Sequence, residues 1–136
     1  MILPGVSEEN VEAVKAIYGR WERGDYSSVD WADPEIVFVA PGGLNEEVLH
    51  GVEAMGHEWA GWLSEFEGFE SKAIEYVEAG DQVVVLTRFS GRGRASGVPI
   101  EDMPGAARFV LRDGKVIELA IYTDAERALK DAGISD

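Results

Sequence analysis

The 136-residue chain contains no cysteine. Disulfides, thiolate metal sites and thiol nucleophiles are therefore excluded. Basic residues are scarce: Lys plus Arg number 12 against 26 Asp plus Glu, a net charge of −14. A surface this acidic repels phosphate backbones and anionic lipid, so neither nucleic acid nor a membrane is an expected partner. No apolar run approaches the roughly 18 residues of a membrane span. Met1 to Ser7 lacks the basic start and apolar core of a signal peptide, and a cytoplasmic location is expected. The only two histidines, His50 and His57, are seven residues apart. Metal-binding pairs on a helix favour a spacing of about 3–4 residues. No metal and no cofactor is expected, and no phosphate loop, nucleotide fingerprint or nucleophile triad can be read.

What the chain does have is apolar material, 46% of its residues. That suits one domain spanning 1–136 with a single core. Ser7 can cap a helix on which Val11, Val14, Ile17, Tyr18 and Trp21 recur at helical spacing. The helix is expected to stop near Gly24-Asp25. Tyr26 to Trp31 reads as a short second helix ended by Asp33-Pro34, followed by a buried strand, Ile36 to Val39, closed by Pro41-Gly42-Gly43. Glu46, Glu47 and His50 fall in a loop. Val52, Met55, Trp59, Trp62, Leu63 and Phe66 then form one stripe on a helix of about residues 51–66.

After Gly68 the period changes to two. Strands are expected over Phe69–Glu78, Val83–Ala95, Val98–Arg112 and Lys115–Thr123, joined by turns at Ala79 to Gln82, Ser96-Gly97 and Asp113-Gly114. Met103-Pro104-Gly105 predicts a bulge or an edge, because proline cannot donate to a ladder. Asp124 can cap a closing helix over 125–132, with Gly133 after it. Consecutive hairpins make this sheet antiparallel, with one face to bury under the helices.

Gly24-Asp25, Ala79-Gly80-Asp81, Arg112-Asp113-Gly114-Lys115-Val116 and Tyr122-Thr123-Asp124, in this order and spacing, resemble the SnoaL-like branch of the nuclear-transport-factor-two-like superfamily. The resemblance covers nearly the whole chain. It implies an α+β fold: a curved antiparallel sheet wrapped around helices, a cone-shaped α+β barrel with a central pocket. It also implies a homodimer through the outer sheet face. It does not carry over the chemistry of two relatives. Ketosteroid isomerases place a basic aspartate where this chain has Ala40, and a protonated aspartate where it has Ala107. Their oxyanion tyrosine falls nearest Ile17, with Tyr18 one step round. Limonene epoxide hydrolases use an arginine that falls on Arg88, and aspartates that fall on Ser90 and Ile121. An arginine without a carboxylate cannot deprotonate water.

The expected function is that of a SnoaL-like pocket protein for a small apolar molecule. Its enzymatic version is an isomerase, cyclase or dehydratase acting on an apolar ketone-bearing ligand. The alternative is a non-catalytic binding, accessory or structural domain. The catalytic candidates are Tyr18, His57 and Arg88. Arg88 is an anchor for a carboxylate, phenolate or enolate if it points inward, and a surface charge if it points outward. The expected pocket residues are Ile17, Trp21, Met55, Trp59, Trp62, Ala107, Leu119 and Ile121. On the last strand Ile117, Leu119, Ile121 and Thr123 are assigned to the cavity. Val116, Glu118, Ala120 and Tyr122 are assigned to the outer face, with Glu118 and Arg108 as a cross-strand or cross-subunit pair.

Overall fold

The computed structural model describes residues 6–134, apart from 24, 26–29 and 41–46. Its elements run α1 (Val6–Glu22), β1 (Ala32–Ala40), β2 (Glu47–His50), α2 (Val52–Ser64), β3 (Phe66–Ala79), β4 (Gln82–Gly93), β5 (Pro99–Arg112), β6 (Lys115–Tyr122) and α3 (Ala125–Asp131). The strands make one curved, six-stranded sheet in the order β2-β1-β6-β5-β4-β3. It is not closed: β2 and β3 are its edges.

The helices follow the apolar spacing, except that α2 ends at Ser64 and Phe66, expected on its stripe, opens β3. On α1 the buried side chains are Asn10, Val14, Ile17, Tyr18 and Trp21, which recur every three or four residues and so share one face. Hydrogen bonds from the Arg23 and Asp25 amides to the Arg20 carbonyl end the helix. Most of the short helix expected over 26–31, together with Pro41 to Gly43 and Glu46, lies outside the described residues, as do the side chains of Ser7 and Glu47. On α3 the Asp124 carboxylate accepts from the Glu126 amide as an N-cap, and Gly133 follows at φ 79°.

The strands depart from expectation in several places. β1 starts at Ala32, so Asp33 and Pro34 lie within it. Pro34 is tolerated because β2 pairs only with residues 37–40, leaving one side of β1 open there. Second, β1 pairs with β6 in parallel, so the sheet is mixed; β3 to β6 form the expected antiparallel meander. His50 belongs to β2, not to a loop. Third, β5 runs unbroken through Met103 to Gly105, and Pro104 pairs with Arg88. The bulge comes just before: Phe89 faces Met103 but Gly91 faces Ile100, which leaves one extra residue on β5, and Asp102 adopts φ 48°.

A further bulge on β6 overturns two assignments: Val116 is buried inside, and Ile117, expected at the cavity, does not line it. Val110 pairs with Glu118 and Leu111 with Val116, so Ile117 is the extra residue. Val116, expected outside, turns into the inner core beside Leu111 and Phe109. Bulges on β3, at 67–70 and 73–75, add to the curvature. The tight β5–β6 turn places both Asp113 (φ 53°) and Gly114 (φ 78°) in the left-handed region that a two-residue hairpin requires.

Two apolar clusters lie on the two faces of the sheet. On the inner face α1 and α2 cover Val83, Val85, Ala107, Phe109 and Leu119. On the outer face α3 covers Val84, Ala106, Ala120 and Tyr122 with its Ala128 and the following Ala132. The outer patch of Ala120 and Tyr122, expected to be open, is thus occupied by the chain's own last helix.

Candidate functional site

The inner face is not filled completely. A cavity of about 100 Å3 lies between α1, α2 and the concave side of the sheet. Strand alternation supplies its floor. Thr87 and Phe89 on β4 point into it, as do Ala107 on β5 and Ile121 on β6; Val83 and Val85, further along β4, pack into the core instead. Phe69 and Ser71 on β3 form one wall, and Tyr18 and Trp21 on α1 form another. Phe38 and α2's Glu58 and Trp59 complete it. A larger groove of about 390 Å3, between the end of α1 and the start of β3, shares Trp21, Phe69 and Ser71 with the cavity.

The aromatic side chains hold one another in place. Trp21 stacks on Trp59 at 5.4 Å between ring centroids, and meets Tyr18 edge-on at 4.9 Å. Trp59 also meets Phe38 edge-on at 6.0 Å. Pairs in these arrangements contribute about 0.5–1.5 kcal/mol each beyond their burial. Tyr18 is 3% exposed. Burial raises its phenol pKa far above the usual range, and the neighbouring Tyr76 and Glu22 add to the rise. The phenol therefore stays protonated and can donate. Among the described residues, the hydroxyls of Tyr18, Ser71 and Thr87 have no hydrogen-bond partner, although all three residues line the cavity.

Of the pocket residues expected from sequence, Trp21, Trp59, Ala107 and Ile121 border the cavity, as does Tyr18 of the catalytic candidates. Ile17, Met55 and Leu119 are buried in the core around it. The Trp62 side chain lies outside the described residues. The other two catalytic candidates are not at the cavity. His57 is exposed on α2. It sits two residues from both Met55 and Trp59, about 200° round the helix from each, which turns it to the opposite side. Arg88 follows the alternation of β4 outward. It is exposed and donates to the Asp102 carbonyl at 3.2 Å. An inward Arg88 would have needed Thr87 and Phe89 to turn outward.

Sequence reasoning missed Glu58, Ser71 and Thr87. A signal for Glu58 was present: Met55, Glu58 and Trp59 are spaced i, i+3, i+4 and so share a face. For Ser71 and Thr87 the signal was the alternation itself, which pairs Ser71 with Phe89 and Ala73 with Thr87 across one face of the sheet. Ala107 and Ile121 bring apolar side chains to the cavity. Among the described residues no group of three or more His, Asp or Glu side chains could hold a metal ion, and no helix is long and apolar enough to cross a membrane.

This architecture, a cone-like curved sheet closed by helices over an apolar cavity, is that of the nuclear-transport-factor-two-like superfamily. Over residues 14–119 the sequence matches the SnoaL-like domain, and the chain belongs to that family. Its fold is similar to that of a Jannaschia sp. CCS1 protein assigned to the SnoaL-like polyketide cyclases. The two are 22% identical, with 100% of this chain and 99% of that one covered and a TM-score of 0.77. Bal32a, from a soil-derived mobile gene cassette, is 21% identical over 85% of this chain and 89% of its own, with a TM-score of 0.74. TerC, co-crystallised with polyporic acid, is 21% identical over 92% of this chain and 98% of its own, with a TM-score of 0.72. No curated protein matches the chain in sequence.

Proposed function

We propose that this SnoaL-like protein is a cytoplasmic receptor for one small, largely apolar molecule, which contacts Tyr18, Trp21, Trp59, Ala107 and Ile121. The observation that carries the reading is the cavity's composition. Its wall is mostly aromatic and aliphatic, and it is interrupted by hydroxyl residues, of which Tyr18, Ser71, Thr87 and Thr123 have no side-chain partner among the described residues. Among the described residues no buried side-chain nitrogen or oxygen lacks a partner, so these hydroxyls are open to the cavity space. Hydroxyls left over in an apolar cavity are what a ligand site needs for orientation. A domain filled by its own side chains would have no use for them.

The catalytic version, an isomerase, cyclase or dehydratase acting on a ring ketone, has less support. Tyr18 can polarise a carbonyl, but a phenol held protonated cannot take a proton away. His57 and Arg88 lie off the cavity, which leaves Glu58 as the one carboxylate lining it among the described residues. A homodimer through the outer sheet face would have to use the part that α3 leaves open, around Lys72 and Arg88. Sedimentation at micromolar concentration would separate dimer from monomer.

The test is a titration of tryptophan fluorescence with a panel of small apolar ketones and alcohols, with polyporic acid included. Trp21 and Trp59 border the cavity and report on its occupant. A saturable change that is lost in Ala107→Leu, which puts bulk into the cavity, supports the reading. No saturable change with any member overturns it.

A further inference from the structure

We infer that the cavity is shaped for a positively charged group, a quaternary or protonated amine on a compact apolar body. The inference rests on the reading of the cavity as a ligand site and adds the charge of its ligand. The aromatic residues Tyr18, Trp21, Phe38, Trp59, Phe69 and Phe89 are among those that border the space. Aromatic faces carry negative potential, and a cation enclosed by several of them is held more strongly than an uncharged group of the same shape. Glu58 brings a carboxylate to the same space, and among the described residues it has neither an ion pair nor a hydrogen bond. Among the described residues no lysine, arginine or histidine lines the cavity.

Other features agree. The cavity, at about 100 Å3, suits a compact head group. The adjoining groove carries Glu22 and Glu70 against Arg23 and Lys72, so its charges balance and do not bar a cation's entry. The net charge of −14 raises the local concentration of cations around the molecule. Negative potential also reaches the cavity wall, since Glu22 contributes to the raised pKa of Tyr18. Taking a cation out of water is costly, and an uncharged ligand avoids that cost. The aromatic faces and the Glu58 carboxylate are the groups that offset it.

The experiment compares choline with its uncharged isostere, in which carbon replaces the ammonium nitrogen, and with a ring ketone, by calorimetry and tryptophan fluorescence at low salt. Choline is expected to bind at least about tenfold more tightly than the isostere. Added salt is expected to narrow the difference. Glu58→Gln keeps the size and helix preference of the residue, so the fold is expected to survive. It is expected to weaken choline about tenfold and to leave the isostere within about twofold. An isostere or ketone that binds as tightly as choline overturns the inference of charge and leaves the ligand site standing. A preference for choline that Glu58→Gln leaves intact removes Glu58 from it and overturns the inference as stated. Binding of none of the three overturns the inference and, with the wider panel silent, the ligand site as well.

Discussion

The two faces of the sheet treat their polar groups in opposite ways. On the outer face the polar side chains gathered beside α3 pair with one another. The Arg108 guanidinium donates to the Tyr122 hydroxyl at 3.0 Å, to Gln82 at 3.1 Å and to Glu118 at 2.6 Å. The Tyr122 hydroxyl donates in turn to Asp131 on α3 at 2.9 Å, and Gln82 reaches the Ala132 carbonyl. Burial works against the charge on Arg108, but Tyr122 and Glu118 outweigh it, and its pKa ends above the usual value. The network spans β4, β5, β6 and α3 and pins the helix to the sheet. Across the sheet, Tyr18, Ser71 and Thr87 share no bond of this kind. A face built for stability satisfies its own hydrogen bonds, and a face built for a ligand leaves some for the ligand to satisfy.

The largest effect is expected where the inner face is solid. Phe109 is fully buried under α1. Phe109→Ala should cost about 3–5 kcal/mol in urea unfolding. A loss below about 1 kcal/mol would mean that the inner core is already loose, and would end the contrast between packed core and built cavity.

Next comes the centre of the outer network. Arg108→Met preserves much of the stem and removes the charge, leaving Glu118, Gln82 and Tyr122 without their shared donor. About 1–3 kcal/mol should be lost. Hydrogen exchange in α3 should quicken more than in α1, because the network holds only α3. Equal quickening in the two helices would show that the network does not anchor α3.

Alkaline pH acts on both faces, because burial raises the pKa of Tyr122 as well, and a substitution at Tyr18 isolates the inner one. Tyr18 has a folded pKa raised above the unfolded value of about 10. Its contribution is complete below pH 10. Above that the unfolded chain gives up the proton first, so stability falls as pH rises. The slope from this one group is about 1.4 kcal/mol per pH unit. Tyr18→Phe should therefore flatten the decline above pH 10, and thermal melts of the two proteins at pH 7 and pH 11 check it. Parallel declines would place the loss elsewhere.

The smallest effects form a matched pair at neutral pH. Tyr122→Phe deletes a hydroxyl with two partners and should cost about 1–2 kcal/mol. Tyr18→Phe deletes one with none among the described residues and should change stability by less than about 0.5 kcal/mol, while weakening any ligand that the phenol meets. Equal costs for the two substitutions would erase the distinction between the faces.

Much of this was legible along the chain. The stripe of Val14, Ile17, Tyr18 and Trp21, the Asp113-Gly114 turn and the Asp124 cap depend on neighbours within a few residues, and local chemistry decides them. The inward course of Leu119 and Ile121 was legible too, from alternation on one strand. What failed needed a partner strand. Val116 turns inward because Ile117 is an extra residue relative to β5, and no pattern on β6 alone reveals a bulge. His50 joins a strand only because β1 offers it an edge.

The cavity shows the same division. The residue types that border it, rings and small hydroxyls on strands and on two helices, are properties of the sequence. That Tyr18, Ser71, Thr87 and Glu58 meet around one space is not. They come from four elements, and their meeting depends on the curvature set by bulges in β3, β5 and β6. Amphipathic period alone determined which side of each element is apolar, because that is a property of one helix or one strand. Only the assembled sheet decided that α3 covers the outer face while the inner face keeps an opening, because each depends on how elements distant in sequence fill, or fail to fill, a shared volume.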